Sequence, residues 1–183
     1  MMQLKRVFPD SLTLEIDPEP QIVDKLWDIS RQCARLWDLA LEERRRQPES
    51  PGTREKTLQH LIAENPDLAT PARSVYERVL WSLDEAFEQY RQAEEHFNAG
   101  RRGDMPAPPG PHPETVFFPL FFSKEFIRLD QPNCLELAYG DEWIPLQLPK
   151  GDYHKAEQVL IMYQPDRKHF EVELNPILVD IRD

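Results

Sequence analysis

The stretch LTLEIDP (residues 12–18) decides the predicted fold, because it places a single strand directly before a long helical region. Apolar and polar residues alternate from Leu12 to Ile16, and this period of two is typical of a strand with one buried face. Asp17 and Pro18 then form a predicted helix start, with Asp17 as the N-cap and Pro18 at the first helical position. Since a lone strand is not stable unpaired, we predict that it joins a sheet formed later in the chain.

Three helices are predicted after this strand. The first carries an apolar face at spacings of three and four residues, the second extends from Thr53 to Glu64, and the third starts at Thr70 and Pro71. The apolar face of the first helix consists of Ile22, Leu26, Ile29, Cys33, Leu36 and Ala40, and that of the third consists of Val75, Val79, Leu83, Phe87, Tyr90 and Phe97.

The hydrophobic period changes after a connector rich in proline and glycine, GRRGDMPAPPGPHPE (residues 100–114). Short β-branched and aromatic runs follow it between turn signals, and about six of them have the pattern of strands. Short strands at regular spacing are typical of a small barrel or sandwich. We therefore predict an α+β protein with a small antiparallel β-barrel of wedge or OB type, formed by residues 1–17 and 104–183. A helical bundle, residues 18–103, is inserted after its first strand.

The composition, 40% hydrophobic and 30% charged, is typical of a globular protein and argues against general disorder. No run approaches the ~18 apolar residues of a membrane span, and the N-terminus has no signal-peptide pattern. We therefore expect a cytoplasmic protein that does not bind a membrane. The formal net charge of −11 is spread along the chain, and it opposes non-specific contact with nucleic acid.

Motifs for catalysis are missing from the sequence. No glycine-rich phosphate loop follows a strand, and neither CxxC nor HExxH occurs. The five histidines and two cysteines have no metal-ligand spacing, and the carboxylates form no distinctive pair. We therefore expect no enzyme activity from the chain alone, and no cofactor or metal.

The basic residues form clusters that allow two interpretations. The arginines at positions 44–46 end the first helix, where positive charge complements the helix dipole without any ligand. Arginines can also hold phosphates and so position a nucleic acid without reading its sequence. On the same helix we predict that Trp37 packs toward the other helices, while Arg35 lies on the more solvated face.

Several motifs follow one another in a characteristic order. The first helix carries CARLWDLALEERRR (residues 33–46), and the third carries LWSLDEAFEQY (residues 80–90). The connector then leads to VFFPLFFSKEFIRLDQP (residues 116–132) and WIPLQLPKG (residues 143–151). In this order the motifs resemble the N-terminal half of the TnpB (OrfB) proteins of insertion-sequence transposons and of the related compact type V CRISPR effectors. The matching positions are Cys33, Ala34, Arg35, Trp37, Ala40, Leu41 and Glu42, then Leu80, Leu83, Ala86, Phe87 and Tyr90, with echoes at residues 117–122, 146–149 and 170–174.

The resemblance implies a wedge domain, which is a small β-barrel with a helical recognition domain inserted after its first strand. In the family these parts hold a guide RNA and help to form the channel for its duplex with DNA. The chain differs from the family in two ways: it ends where the RuvC-like nuclease would begin, and it is acidic where family members are generally basic. We therefore expect no nuclease activity, and one hypothesis is that a separate RuvC-bearing nuclease subunit is a partner; the other is that the chain is a domesticated regulator.

Three hypotheses for the function follow. The first is a non-catalytic, TnpB-like recognition module for guide-type RNA and DNA, and the second is an acidic protein-interaction or regulatory module derived from the same fold. The third is a transposon remnant without activity. The candidate nucleic-acid-binding residues are Arg35, Arg44, Arg45, Arg46, Arg101, Arg102, Lys124 and Arg128.

Overall fold

The protein has an α+β fold in a computed structural model that describes residues 11–46, 53–68, 71–101, 103–151, 153 and 156–175. The helices in this part of the chain are α1 (Pro20–Arg46), α2 (Arg54–Glu64) and α3 (Arg73–Asn98). The strands are β1 (Leu12–Ile16), β2 (Leu120–Ser123), β3 (Ile127–Gln131), β4 (Cys134–Tyr139), β5 (Glu142–Gln147), β6 (Gln158–Gln164) and β7 (His169–Leu174).

The strands form two antiparallel sheets. The four-stranded sheet has the order β1-β7-β6-β2, and the three-stranded sheet has the order β3-β4-β5. β1 pairs with β7 over its whole length, from Leu12 opposite Leu174 to Ile16 opposite Phe170. This pairing confirms the prediction that the isolated early strand joins a sheet formed late in the chain.

The predicted closed barrel is wrong for the described residues, because neither sheet closes on itself. A 3₁₀ turn at Lys124–Phe126 separates β2 from β3. After this turn β3 pairs with β4, with Ile127 opposite Leu137, and does not extend the sheet that contains β2. The strand pattern of the sequence therefore predicts the strands and the antiparallel class, but not their division between two sheets.

The chain divides into two units. The first contains Met1–Leu26 and Pro119–Asp183, and the second contains Trp27–Phe118. In the sheet-containing unit, the inward face of the four-stranded sheet buries Phe122, Val159, Ile161 and Val172. The three-stranded sheet buries a corresponding face of Leu135, Leu137, Ile144 and Leu146.

The helical unit, Trp27–Phe118, has a core formed by one face of each helix. Cys33 is fully buried on α1, as the helical period predicts, and this burial raises the pKa of its thiol. The other core residues include Ile29, Leu36, Leu58, Leu61, Leu68, Val75, Tyr76, Val79 and Leu83. None of the described helices combines the length and the hydropathy that crossing a membrane requires.

Two of the predicted helix starts are wrong by two residues. α1 begins at Pro20 rather than Pro18, and the Glu19 carbonyl accepts hydrogen bonds from the backbone N–H groups of Ile22 and Val23. Proline suits the first helical position at either place, so this rule cannot choose between the two prolines. α3 begins at Arg73, with Ala72 as its N-cap, rather than at Pro71.

Candidate nucleic-acid interface

Two of the predicted phosphate-binding arginines on α1 are paired with carboxylates of the same chain. Arg35 forms a salt bridge with Asp67, in the 3₁₀ turn that follows α2. Arg44 forms one with Asp84 of α3, and its guanidinium also lies over the Phe87 ring, 5.0 Å from the ring centroid. The structure therefore gives both arginines partners within the helical unit, where the sequence had predicted contacts with phosphate.

The last turn of α1 presents two further arginines. Nη2 of Arg45 donates a hydrogen bond to the Pro109 carbonyl oxygen over 3.0 Å. Arg46 is largely exposed and lies 3.3 Å from a carboxylate oxygen of Glu42, one turn earlier. The Arg46–Glu42 pair is weak, because an exposed ion pair at this spacing contributes only about 0.3–0.5 kcal/mol to stability.

The structure gives little information on how the arginines after α3 would take part in the candidate site. Arg101 is exposed, and its backbone N–H donates to the His96 carbonyl oxygen over 2.8 Å. Arg102 lies outside the described residues.

The proline-rich connector is bound along α1, which the sequence does not predict. The Trp37 indole N–H donates to the Gly110 carbonyl oxygen over 2.9 Å, and the His112 backbone N–H donates to a carboxylate oxygen of Asp38 over 2.8 Å. The Phe118 backbone N–H donates to the buried Ser30 hydroxyl over 2.7 Å. α1 therefore supplies polar side chains at three places that hold the connector and the segment that follows it as far as Phe118.

The surroundings of the Trp37 ring differ from those that the helical period predicts. The sequence predicts that its ring packs toward the other helices, but the ring is half-buried and lies beside His112 of the connector and beside Phe118, which follows the connector. Burial among these rings lowers the pKa of His112, although the Pro113 carbonyl and Asp38 act in the opposite direction. Trp37 therefore holds the connector, and stacking on a base would require the connector to move.

The sheet-containing unit carries the two remaining predicted residues. Lys124 forms an exposed salt bridge of 2.8 Å with Glu157. Arg128, on the exposed face of the three-stranded sheet, stacks its guanidinium on the Trp143 indole, 3.6 Å from the ring centroid. On this face Arg128 lies opposite Glu136, and Glu136 lies opposite Pro145. A planar cation on an indole is a surface on which a base can stack.

A second stack of this type, which we do not predict from the sequence, lies in the helical unit. Arg78 lies over the Trp81 indole, 3.7 Å from the ring centroid. The two residues are three apart on α3, and residues at this spacing are neighbours on a helix. That spacing is the signal in the sequence that could have revealed the pair.

The second half of α3 is less buried and more acidic than the first half. All of the buried side chains of α3 lie between Ser74 and Leu83. From Asp84 to Asn98 the helix carries five carboxylates and one arginine, a net charge of −4 with His96 neutral. The basic residues above are thus accompanied, within the helical unit, by a strongly acidic helix surface. Comparison with protein-family models and with curated proteins found no match to this chain.

Proposed function

We propose that the chain is a non-catalytic, TnpB-like nucleic-acid recognition module, which holds a guide-type RNA or an RNA–DNA duplex for a separate nuclease polypeptide. One observation supports this proposal above the others. β1 pairs with β7, and all three described helices lie between these two strands in sequence. A helical region inserted after the first strand of a sheet domain is the order of parts that the resemblance implies.

The arrangement of charges indicates which residues are available to a phosphate. Arg44 is half-buried between Asp84 and Phe87, so we assign it to the helical unit's own packing. Arg45, Arg46 and Arg101 are exposed and have only weak or backbone contacts. Since exposed ion pairs contribute only about 0–1 kcal/mol, a phosphate can replace such partners at little cost.

The test is a binding titration of the full chain with single-stranded RNA and with an RNA–DNA hybrid, each at two salt concentrations. The double variant Arg45→Gln, Arg46→Gln is expected to bind RNA more weakly. Its salt dependence should also become flatter, by about 0.7 in log–log slope for each phosphate contact removed. Magnesium is included so that the same samples report any cleavage.

The matched control is Arg73→Gln. Arg73 is an exposed arginine at the start of α3, where it pairs with Glu55 and Glu77. We expect this variant to bind RNA like the unmodified chain. Absence of binding at low salt, or equal losses in the double variant and the control, would contradict the proposal.

A second candidate function is binding of a protein partner, and the second half of α3 favours it. Phe87, Tyr90, Ala93 and Phe97 recur at spacings of three and four, with Ala86 one turn before Tyr90, and all five are only half-buried. Carboxylates flank this apolar stripe. The fitting occupant is an amphipathic segment with an apolar ridge and basic flanks, because opposite charges at the rim favour association and its correct register. A basic surface of a RuvC-bearing subunit has this chemistry.

This candidate is tested with a designed helical peptide that has leucines on one face and lysines on the other. Phe97→Asp, near the end of α3, is expected to weaken binding of the peptide at least tenfold. Met105→Asp is the matched control, since Met105 is 69% exposed and lies outside the stripe. Failure of the peptide to bind, or equal weakening by both substitutions, would remove the stripe as a docking surface.

A further inference from the structure

Three side chains with metal-binding atoms converge on one face of the four-stranded sheet. Glu15 of β1 lies directly opposite Glu171 of β7, and His169 precedes Glu171 by two residues on the same strand. Because side chains alternate between the faces of a sheet, all three point to the same side. None of them belongs to the candidate nucleic-acid interface, and no motif in the sequence predicts a role for them.

The distances between their atoms fit a single ion. His169 Nε2 lies 3.3 Å from Oε1 of Glu171 and 3.7 Å from Oε1 of Glu15, and one ligand atom from each residue lies within 4.8 Å of the other two. Zinc binds nitrogen and oxygen ligands at about 2.0–2.2 Å, so tetrahedral geometry separates two such ligands by roughly 3.4 Å. The three side chains therefore need only small rotations to bind one ion.

Two of the three side chains are largely buried, and a hydrogen bond orients one of these two. The side chains of His169 and Glu171 are only 18% and 16% exposed, whereas that of Glu15 is 65% exposed. Gln164 donates a hydrogen bond to Oε2 of Glu171 over 2.7 Å, which leaves Oε1 directed at the imidazole. Hydrogen bonds of this kind orient the ligands in metal sites.

The charges on this face favour a cation. Two carboxylates directly opposite each other on paired strands repel, and the next pair along adds Glu173 opposite Thr13. Arg167 lies 3.2 Å from Glu15, but its side chain is 71% exposed and can move into solvent. A divalent ion between Glu15, His169 and Glu171 would neutralise both facing carboxylates at once.

We propose that Glu15, His169 and Glu171 form a binding site for a divalent transition-metal ion of the zinc type. One imidazole nitrogen and two carboxylate oxygens are ligands that such ions accept, and the exposed side at Glu15 leaves room for water or a further ligand. The site is independent of nucleic-acid binding, so it can be tested without RNA.

The experiment is calorimetric titration of the chelator-treated full chain with zinc chloride at pH 7.5. We expect one equivalent of zinc to bind, and His169→Asn and Glu171→Gln each to weaken the binding at least tenfold. Glu15→Gln is expected to weaken it as well. Because Glu15 is exposed, its substitution gives a second variant whose folding is not at risk, and circular dichroism checks the fold of each variant.

The matched control is Glu173→Gln, which removes a carboxylate from the same strand and the same face but not from the site. Its affinity for zinc is expected to stay within twofold of that of the unmodified chain. The proposal is overturned if zinc does not bind. It is equally overturned if Glu15→Gln and the folded ligand variants bind zinc like the control, because the ion then lies elsewhere on the chain.

Discussion

Ser30 shows how a single side chain joins two segments of the helical unit. It is almost completely buried, and its hydroxyl accepts a hydrogen bond from the Phe118 backbone N–H over 2.7 Å. Replacement of Ser30 by alanine would leave that N–H without its partner inside the protein. We expect Ser30→Ala to lower the free energy of unfolding by about 1–3 kcal/mol, measured by urea denaturation.

The control for this prediction is Ser82→Ala on α3, where the serine is half-buried. Both substitutions replace serine by alanine within a helix, so the gain in helix propensity is similar in the two variants. We expect Ser82→Ala to change stability by no more than about 0.5 kcal/mol. Equal effects of the two substitutions would show that the hydrogen bond to Phe118 is not what makes Ser30 important.

The arginines show what the sequence can and cannot predict at this scale. The helical period places Arg35 on an exposed part of α1, and the structure agrees. Its partner Asp67 lies beyond the end of α2, and no local pattern connects the two residues. The same holds for Arg44 and Asp84. Residue types and helix faces follow from short-range spacing, whereas ion pairs depend on how the helices pack.

The connector packs along α1, and His112 in the connector makes the stability of the folded protein dependent on pH. Burial lowers the pKa of His112 in the folded protein, so the unfolded chain takes up a proton first as the pH falls. The contribution of His112 to the free energy of unfolding is therefore fully present above the pKa of histidine in the unfolded chain, about 6.5. This contribution is lost as the pH drops below that value. Asp38 and Pro113 face the ring and oppose this effect only in part.

We expect the thermal unfolding midpoint to fall between pH 7.5 and 5.5, and to fall less in His112→Gln than in the unmodified chain. Above pH 5.5 most carboxylates remain ionised, which separates the effect of histidine from theirs. His60→Gln is the control, because His60 is exposed on α2. A pH dependence in His112→Gln as steep as in the control variant would rule out the proposed role of His112.

The elements also show the limits of periodicity. An apolar face at spacings of three and four predicts the side of α3 that carries Phe87, Tyr90 and Phe97, but it does not tell whether another element covers that side. In the described part of the chain the fully buried positions of α3 end at Leu83, and Phe87, Tyr90 and Phe97 are half-buried. The zinc-type site has the same limitation. His169 and Glu171 alternate in a way that a strand pattern predicts, whereas Glu15 reaches them only through the β1–β7 register.

For the molecule as a whole, the sequence predicts the α+β class and the return of the first strand to a later sheet. Both follow from general requirements, since hydrophobic periods change along the chain and a lone strand needs a partner. The closed barrel does not follow, because closure depends on the turn at Lys124–Phe126 and on which edges pair. Local turn geometry of this kind is not determined by the alternation of apolar residues.

The pairing of β1 with β7 also has a consequence for synthesis on the ribosome. Leu12 leaves the ribosome early, but its partner Leu174 is translated only after all three described helices. The helical unit can fold while the chain is still growing, whereas β1 keeps its backbone hydrogen-bonding groups unpaired until β7 emerges. Such long-range pairing is slow, so completion of the four-stranded sheet is the step most exposed to aggregation of the nascent chain.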